Sequence, residues 1–281
     1  MVRARADLHT HSSSSDGSDS PTELARKADA LKLGGVALTD HDSLDGIDEF
    51  MSAQISIELK RVPGLEISAE YDKAEVHMLG YFVPLDFKPL NDRLEYLKKA
   101  RHERLPKIIR KLNELGIDIT IDELYEVLDG VASPGRPHVA QALIKKGYVK
   151  TTQEAFLKYL AADKPAYVKK ERMDAFEAIK LLRSAGAVPV LAHPLTVNVP
   201  DLRSFIMTLI DTGLIGVEVD YDYSFMGMHR PADEVRNIIQ GLDVLHTGGS
   251  DYHGTIHYTN LGGITVPIEV IHDLEKIRDK L

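Results

Sequence analysis

The sequence contains no cysteine and no tryptophan. Without cysteine there can be no disulfide, no thiolate metal site and no cysteine nucleophile, and nothing calls for an oxidising compartment. Long apolar runs are also missing. No stretch approaches the roughly 20 residues of a membrane-spanning helix, and the N-terminus has no apolar signal core. A cytoplasmic protein that binds no membrane is therefore expected. Positive charge is in short supply: 34 Lys and Arg face 43 Asp and Glu, a net charge of −9. Such a surface repels the phosphates of a long duplex, so duplex DNA is not an expected partner. A small phosphorylated substrate held by local positive charge is still allowed. What is present is a globular composition, 43% hydrophobic and 27% charged over 281 residues, which suffices for a core and for one large domain or two of ordinary size.

The chain reads as strand–helix units interrupted once. Residues 3–9 alternate and end in Asp-Leu-His-Thr-His. A Ser-rich loop over 12–20 follows, and Ser20-Pro21-Thr22-Glu23 is a capping-box helix start with proline in the first turn. Gly34-Gly35 stops that helix, and a buried strand over 36–39 runs into Asp40-His41-Asp42. A helix over 45–60 and strands over 62–67 and 76–83 are expected next. From 90 to 163 the pattern is helical throughout. Strand–helix alternation then resumes, with strands over 188–192, 215–219 and 244–247 and a last helix over 268–281. Such units imply parallel strands with helices outside and a site at the strands' C-terminal ends. The expected division is an α/β domain of 1–89 and 164–281, with 90–163 as a helical insertion or small second domain.

Histidine is plentiful, at 12 residues, and its placement carries the chemistry. His9 and His11 stand two apart at a strand end, so both imidazoles point the same way and reach one ion. Asp251 and His253 repeat the spacing at another strand end. His41 and His193 end two more strands, Glu66 and His77 fall in the neighbouring pair, and Asp16 lies in the first loop. Each has a bland reading: a strand-end histidine is usually structural, Asp40 or Asp42 is usually a helix cap, and a Ser-rich loop is usually a solvated connection. Several such residues, each ending a separate strand, are not accounted for by caps and loops.

The chain resembles the PHP (polymerase and histidinol phosphatase) family of metal-dependent phosphoesterases. The resemblance rests on Asp7-Leu8-His9-Thr10-His11, Ser15-Asp16-Gly17, Leu38-Thr39-Asp40-His41-Asp42, Gly64-Leu65-Glu66-Ile67-Ser68, Val76-His77-Met78-Leu79-Gly80, Ala192-His193-Pro194 and Gly249-Ser250-Asp251-Tyr252-His253-Gly254, which run in order from about residue 5 to 255. It implies an α/β fold, a distorted (β/α)7 barrel of 1–89 and 164–281 with a helical insertion subdomain, 90–163, capping the active site, and three divalent metal ions. His9, His11, Glu66 and Asp251 would hold one ion. Asp16, His41 and His253 would hold a second. Glu66, His77 and His193 would hold a third, with Glu66 bridging. His193 and Asp251 are the residues expected to act in the chemistry, which would use a metal-bridged hydroxide. Imidazole and carboxylate ligands without sulfur suit Mn, Zn or Fe. Three divalent ions against three carboxylates leave about +3 by formal count, which attracts a phosphate dianion.

The insertion carries Gly135-Arg136-Pro137-His138. Its bland reading is a helix start. The branch that the chain most resembles uses an Arg-x-His in this insertion on substrate phosphate, which implies Arg136 and His138 as substrate-binding residues, and Lys164-Pro165-Ala166-Tyr167-Val168 also resembles that branch. Tyr223, among Tyr221, Asp222 and Phe225, is a candidate stacking face for a base, against a reading as loop packing. His102 and His272 read as solvated, His246 as core, and His229 and His257 as loop residues. The expected activity is hydrolysis of phosphate esters of nucleotides, as a 3′,5′-bisphosphonucleotide phosphatase, or of short 5′-phosphorylated single-stranded RNA. A histidinol-phosphate-type phosphatase and a non-catalytic module supporting a polymerase are the alternatives.

Overall fold

The helix-start signal at Ser20 is realised in both directions. In the computed structural model, which describes residues 4–128, 135–224, 232–255 and 259–281, the Glu23 amide donates to Ser20 Oγ at 3.2 Å and the Ser20 amide to the Glu23 carboxylate at 2.8 Å. The described elements are β1 (Arg5–Asp7), α1 (Pro21–Ala30), β2 (Gly35–Leu38), α2 (Ile47–Ser52), β3 (Lys60–Tyr71), β4 (Ala74–Tyr81), α3 (Lys88–Glu114), α4 (Ile121–Leu128), α5 (Arg136–Lys145), α6 (Thr152–Ala155), β5 (Met173–Asp174), α7 (Ala175–Ser184), β6 (Val188–Leu191), α8 (Leu202–Thr212), β7 (Gly216–Asp220), α9 (Ala232–Ile238), β8 (Leu245–Gly248), β9 (Val266–Pro267) and α10 (Glu269–Arg278), with a π-helical turn at Phe156–Leu160. They form two compact units, Met1–Asp92 with Arg172–Leu281, and Arg93–Glu171.

The first unit is an α/β barrel. Its sheet runs β8-β7-β6-β4-β3-β2-β1-β9, with β5 added to β3. Past their named ends, the chains following β1 and β8 run side by side: the Leu8 amide donates to the Gly248 carbonyl, the Asp251 amide to His9, and the His11 amide to Tyr252. These contacts bring the sheet close to a closed barrel. Ala6, Leu8, Val62, Leu79, Tyr81, Val188 and Val190 pack into one buried cluster of this unit.

The strands are not all parallel. β4 pairs antiparallel with both β3 and β6, whereas β1–β2–β3 and β6–β7–β8 are parallel. The cause is the two-residue turn Asp72-Lys73, both at positive φ (42° and 71°), the backbone that a tight hairpin demands. It joins two strands whose distance in sequence looked ordinary, and it presents the His77 end of β4 beside β3. The helix expected over 45–60 ends at Ser52, because Ala53 turns extended and the chain then feeds β3. His246, expected in the core, is exposed on β8.

The second unit has its own core. Leu105, Ile108, Leu112, Leu124, Val139, Leu143 and Leu160 are buried together. Its boundary falls later than the expected residue 163. Ala166 is buried in this cluster, Arg104 Nε donates to the Val168 carbonyl at 2.7 Å, and Lys111 Nζ donates to the Tyr167 carbonyl at 2.7 Å.

Candidate metal centre

The strand ends of the first unit bring together the side chains that the sequence separates by up to some 240 residues. His9 and His11 extend β1 and are fully buried. His41 follows β2 and bridges Glu66 on β3; the Asp42 amide donates to the Glu66 carbonyl at 2.9 Å and the Glu66 amide to the Asp40 carbonyl at 3.0 Å. His77 comes from β4, where it pairs with Ser68 of β3. His193 follows β6, and Asp251 and His253 follow β8. His193 (φ 25°) and Asp251 (φ 51°) sit in the left-handed region, backbone strain of the sort that concentrates at functional sites.

At the centre, five ligand-type atoms converge without hydrogen-bonding one another. Glu66 Oε2 lies 3.4 Å from His9 Nε2, 3.4 Å from His11 Nε2 and 3.0 Å from His41 Nδ1. Asp251 Oδ1 lies 3.3 Å from His9 Nε2 and 3.0 Å from His11 Nε2. All of these atoms are buried and lack a hydrogen-bond partner. Donor atoms about 2.1 Å from a shared tetrahedral ion stand about 3.4 Å apart, so this spacing is that of ligands around a cation. Buried polar atoms left unpaired are costly, and a cation shared among them removes the cost. The donor set therefore fits divalent ions.

Three groups of the described residues offer ligand atoms within 4.8 Å of one another: His9, His11, Glu66 and Asp251; His11, Asp16, His41 and His253; and His41, Glu66 and His77. The first is the expected set. The second adds His11 to the expected Asp16, His41 and His253. The third has His41 in place of His193, which belongs to none of these groups. Its Nε2 is nevertheless 3.0 Å from Glu66 Oε1, and His77 Nδ1 is 2.9 Å from the same oxygen. Glu66 thus turns one oxygen to His9, His11 and His41 and the other to His77 and His193. Exposure is uneven: 36% of the Asp16 side chain is accessible against none of His9, so the cluster opens on the Asp16 side.

The electrostatics favour positive charge. Burial would raise the Glu66 carboxyl, but His41, His77 and His9 overcome it and hold the group well below its ordinary range. Burial is likewise outweighed at Asp251, by His9 and His253, and at Asp16, by His41 and His253. Burial would lower His77 and His253, yet Glu66 carries the first up to about 10, and Asp16 and Asp251 carry the second up to about 9. His11 goes the other way, down to about 3, through burial and then His253 and His41. Its ring is held neutral, the form that ligates metal.

The rear nitrogens of the imidazoles are also held. His9 Nδ1 lies 2.9 Å from Glu218, His77 Nε2 3.4 Å from Glu75, His193 Nδ1 3.0 Å from Thr196 Oγ1 and His253 Nδ1 2.8 Å from the Asp251 carbonyl. The Tyr221 hydroxyl donates to Asp251 Oδ2 at 2.9 Å. Partners of this kind orient metal-binding histidines. Sequence reasoning missed Glu218, Glu75 and Thr196. For Glu218 a signal existed, a carboxyl inside the otherwise buried apolar strand Gly216-Val217-Glu218-Val219.

Asp40 and Asp42 do not cap α2, whose N-cap is Gly46. Asp40 accepts from the Ser12 amide (2.7 Å), Ser12 Oγ (2.7 Å) and Ser15 Oγ (2.6 Å), and Asp42 accepts from the Ser68 amide at 2.7 Å. The Ser-rich loop is therefore tied down rather than a loose solvated connection. Asp7 does the same for the β8 end, accepting from the Ser250 amide and Oγ and from the Gly262 amide. Burial pushes both Asp7 and Asp40 up to about 6.

The expected substrate residues are placed differently. Arg136 and His138 belong to the second unit. The Arg136 guanidinium lies 5.4 Å from the Phe156 ring centre and 5.5 Å from that of Tyr167, and donates to the Leu160 carbonyl at 3.1 Å. His138 Nδ1 accepts from the Gly135 amide at 3.1 Å. Tyr223 is only 1% exposed, packs edge-on against Tyr221, and accepts from the Leu195 amide at 3.3 Å. It presents no free face for stacking, because the ring is spent on internal packing. Phe225, His229 and His257 lie outside the described residues.

Comparison with known proteins agrees with this geometry. Residues 7–162 match the PHP domain family. A 5′-3′ exoribonuclease of Haemophilus influenzae is 31% identical over 259 residues, covering 91% of this chain and 92% of that protein. A 3′,5′-nucleoside bisphosphate phosphatase of Chromobacterium violaceum is 30% identical over 253 residues, covering 89% and 87%. A solved structure from Bifidobacterium adolescentis, assigned as a metal-dependent phosphoesterase, superposes with a TM-score of 0.84 at 28% identity, covering 97% of this chain and 96% of that one.

Proposed function

The chain belongs to the PHP domain family and is a metal-dependent phosphoesterase, and from that premise we propose that it hydrolyses phosphate esters of nucleotides, either a 3′,5′-bisphosphonucleotide or a short 5′-phosphorylated RNA. The observation that carries this reading is the convergence of unpaired, buried ligand atoms of His9, His11, His41, Glu66 and Asp251. His9, His11, Glu66 and Asp251 would hold one ion, Asp16, His41 and His253 with His11 a second, and Glu66, His77 and His193 with His41 a third, the ions being Mn, Zn or Fe. When bound, such ions neutralise phosphate charge and supply a hydroxide nucleophile near neutral pH.

The chain's own residues prepare the site for that chemistry. Tyr221 takes Asp251 Oδ2 and leaves Oδ1 facing the centre. Thr196 fixes the His193 ring, so that Nε2 faces Glu66; Asp251 and His193 are the residues proposed to act in the chemistry. Glu66 holds two groups of imidazoles apart through its two oxygens. Asp40 and Asp7 fasten the loops bearing Asp16 and Asp251. The open Asp16 side admits the phosphate, while burial at His9 and His11 keeps water from the interior.

Arg136 and His138 are proposed to bind the phosphate that is not cleaved. A guanidinium already held by two ring faces and one carbonyl loses little freedom on gripping an anion. The two relatives named for nucleotide and RNA hydrolysis support nucleotides over histidinol phosphate. The test is phosphate release from a panel of mononucleotides, 3′,5′-bisphosphates, short 5′-phosphorylated RNA and histidinol phosphate. Fastest turnover on a bisphosphate or the short RNA is expected. Preference for histidinol phosphate, or release from none of the panel, would overturn the reading.

A further inference from the structure

Glu218 holds more than the rear nitrogen of His9. It lies on β7 with its side chain fully buried. Its two oxygens divide their work: Oε1 is 2.9 Å from His9 Nδ1, and Oε2 accepts the His193 amide hydrogen at 2.7 Å. We propose that Glu218 is a positioning residue that selects the His9 tautomer, leaving Nε2 as the ligand atom, while anchoring the left-handed backbone of His193.

The argument is one of donors and acceptors. A backbone amide can only donate, so Oε2 is committed to accepting. Oε1, 2.9 Å from His9 Nδ1, is placed to accept as its partner oxygen does, which puts the proton on Nδ1. The lone pair then sits on Nε2, the nitrogen that faces Glu66 Oε2 at 3.4 Å and Asp251 Oδ1 at 3.3 Å. The choice is made by the partner and not by the residue type. His77 turns its Nδ1 to Glu66 and its Nε2 to the Glu75 carboxylate, the opposite arrangement. One carboxyl on β7 thereby sets a side chain following β1 and the backbone following β6. The same hydrogen bond helps to hold His193 at φ 25°, a conformation that costs energy unless its surroundings fix it.

Substituting Glu218→Gln is the sharp test, since it keeps the shape and removes one acceptor. With one oxygen and one NH2, glutamine cannot accept from both the His193 amide and His9 Nδ1–H. If its oxygen serves His193, its NH2 faces His9 Nδ1 and favours the proton on Nε2, where it blocks the ligand lone pair. If its oxygen serves His9, two donors collide at His193.

This inference rests on the metal-centre reading, and the experiment separates the two. Zinc binding is measured by calorimetry on wild-type and Glu218→Gln protein. The ring nitrogens of the zinc-loaded, 15N-histidine-labelled wild type are assigned by long-range 1H–15N spectra. Wild type is expected to take up zinc, with His9 protonated at Nδ1. The variant is expected to lose about ten- to a hundredfold in zinc affinity, the usual effect of losing such a partner, with the melting temperature of its metal-free form close to wild type. A zinc-loaded wild type with His9 protonated at Nε2, or a folded variant with unchanged affinity, overturns the role of Glu218 and leaves the metal centre standing. A melting temperature that drops while affinity holds assigns Glu218 to packing alone and likewise overturns it. Wild type that takes up no zinc overturns the metal reading, and this inference with it.

Discussion

The two oxygens of Glu66 face different partners, His9, His11 and His41 on one side and His77 and His193 on the other. Glu66→Ala should therefore disturb two ion positions at once, where Asp16→Ala should disturb one. Metal content by mass spectrometry after full reconstitution checks this; equal losses in the two variants would contradict the bridging role. Arg136→Ala would remove the proposed charge-assisted contact, an expected cost of about 1.5–3 kcal/mol, roughly ten- to a hundredfold in kcat/KM. The loss should fall on bisphosphates and 5′-phosphorylated RNA and spare a plain aryl phosphate. An equal loss on all of them would argue against Arg136 as the grip on the uncleaved phosphate. At this scale the sequence was most informative about residues whose type already implies ligation, such as His9, His11 and His253. It was least informative about Glu218 and Thr196, whose roles arise only once distant strands bring a histidine nitrogen within reach. Tyr223 could be read as loop packing or as a stacking face, because a sequence does not show that Tyr221 and Leu195 use it up.

Strand ends set the site, and close backbone approach sets the strand ends. Gly249 follows β8, and a Cβ there would stand 2.4 Å from the His9 amide nitrogen and 2.5 Å from His9 Cβ. Gly249→Ala should push the β1 and β8 extensions apart and displace His9 from Asp251. Metal affinity should fall while the circular dichroism spectrum stays that of the folded protein; full metal affinity in this variant would show that the approach is not needed. The capping box at Ser20 was legible because its chemistry is local. The β3–β4 hairpin was not, since Asp72-Lys73 lacks the glycine that advertises a tight turn. The short strands β5 and β9 escaped for a different reason. Each is two residues long and exists only because a neighbouring strand offers hydrogen bonds.

Across the whole molecule the net charge of −9 disfavours the long-range attraction that a duplex backbone needs. Among the described residues, no helix is long and apolar enough to cross a membrane. A substrate contacting few phosphates gives a shallow salt dependence, because the slope scales as roughly −0.9 per contact on duplex and −0.7 on single strands. Cleavage of a short 5′-phosphorylated RNA should accordingly change little between low and high salt, and the same RNA in a blunt duplex should be a poor substrate. Comparable turnover of the duplex, or a KM that climbs steeply with salt, would point to an extended nucleic-acid groove. Strands with helices outside were legible in the alternation of strands and helices, and the barrel was implied by the family resemblance. The end of the helical unit was not, because 164–171 carries no apolar period of its own and is placed by Arg104 and Lys111 holding its carbonyls.

The converging imidazoles and carboxylates are expected to work only with divalent ions among them. The most direct test of this dependence is phosphate release from a 3′,5′-bisphosphonucleotide by chelator-stripped protein as Mn2+ is titrated back. No release is expected from the stripped protein, with a return of turnover that saturates as the sites fill. Undiminished turnover after stripping, or none restored by Mn2+, Zn2+ or Fe2+, would contradict it.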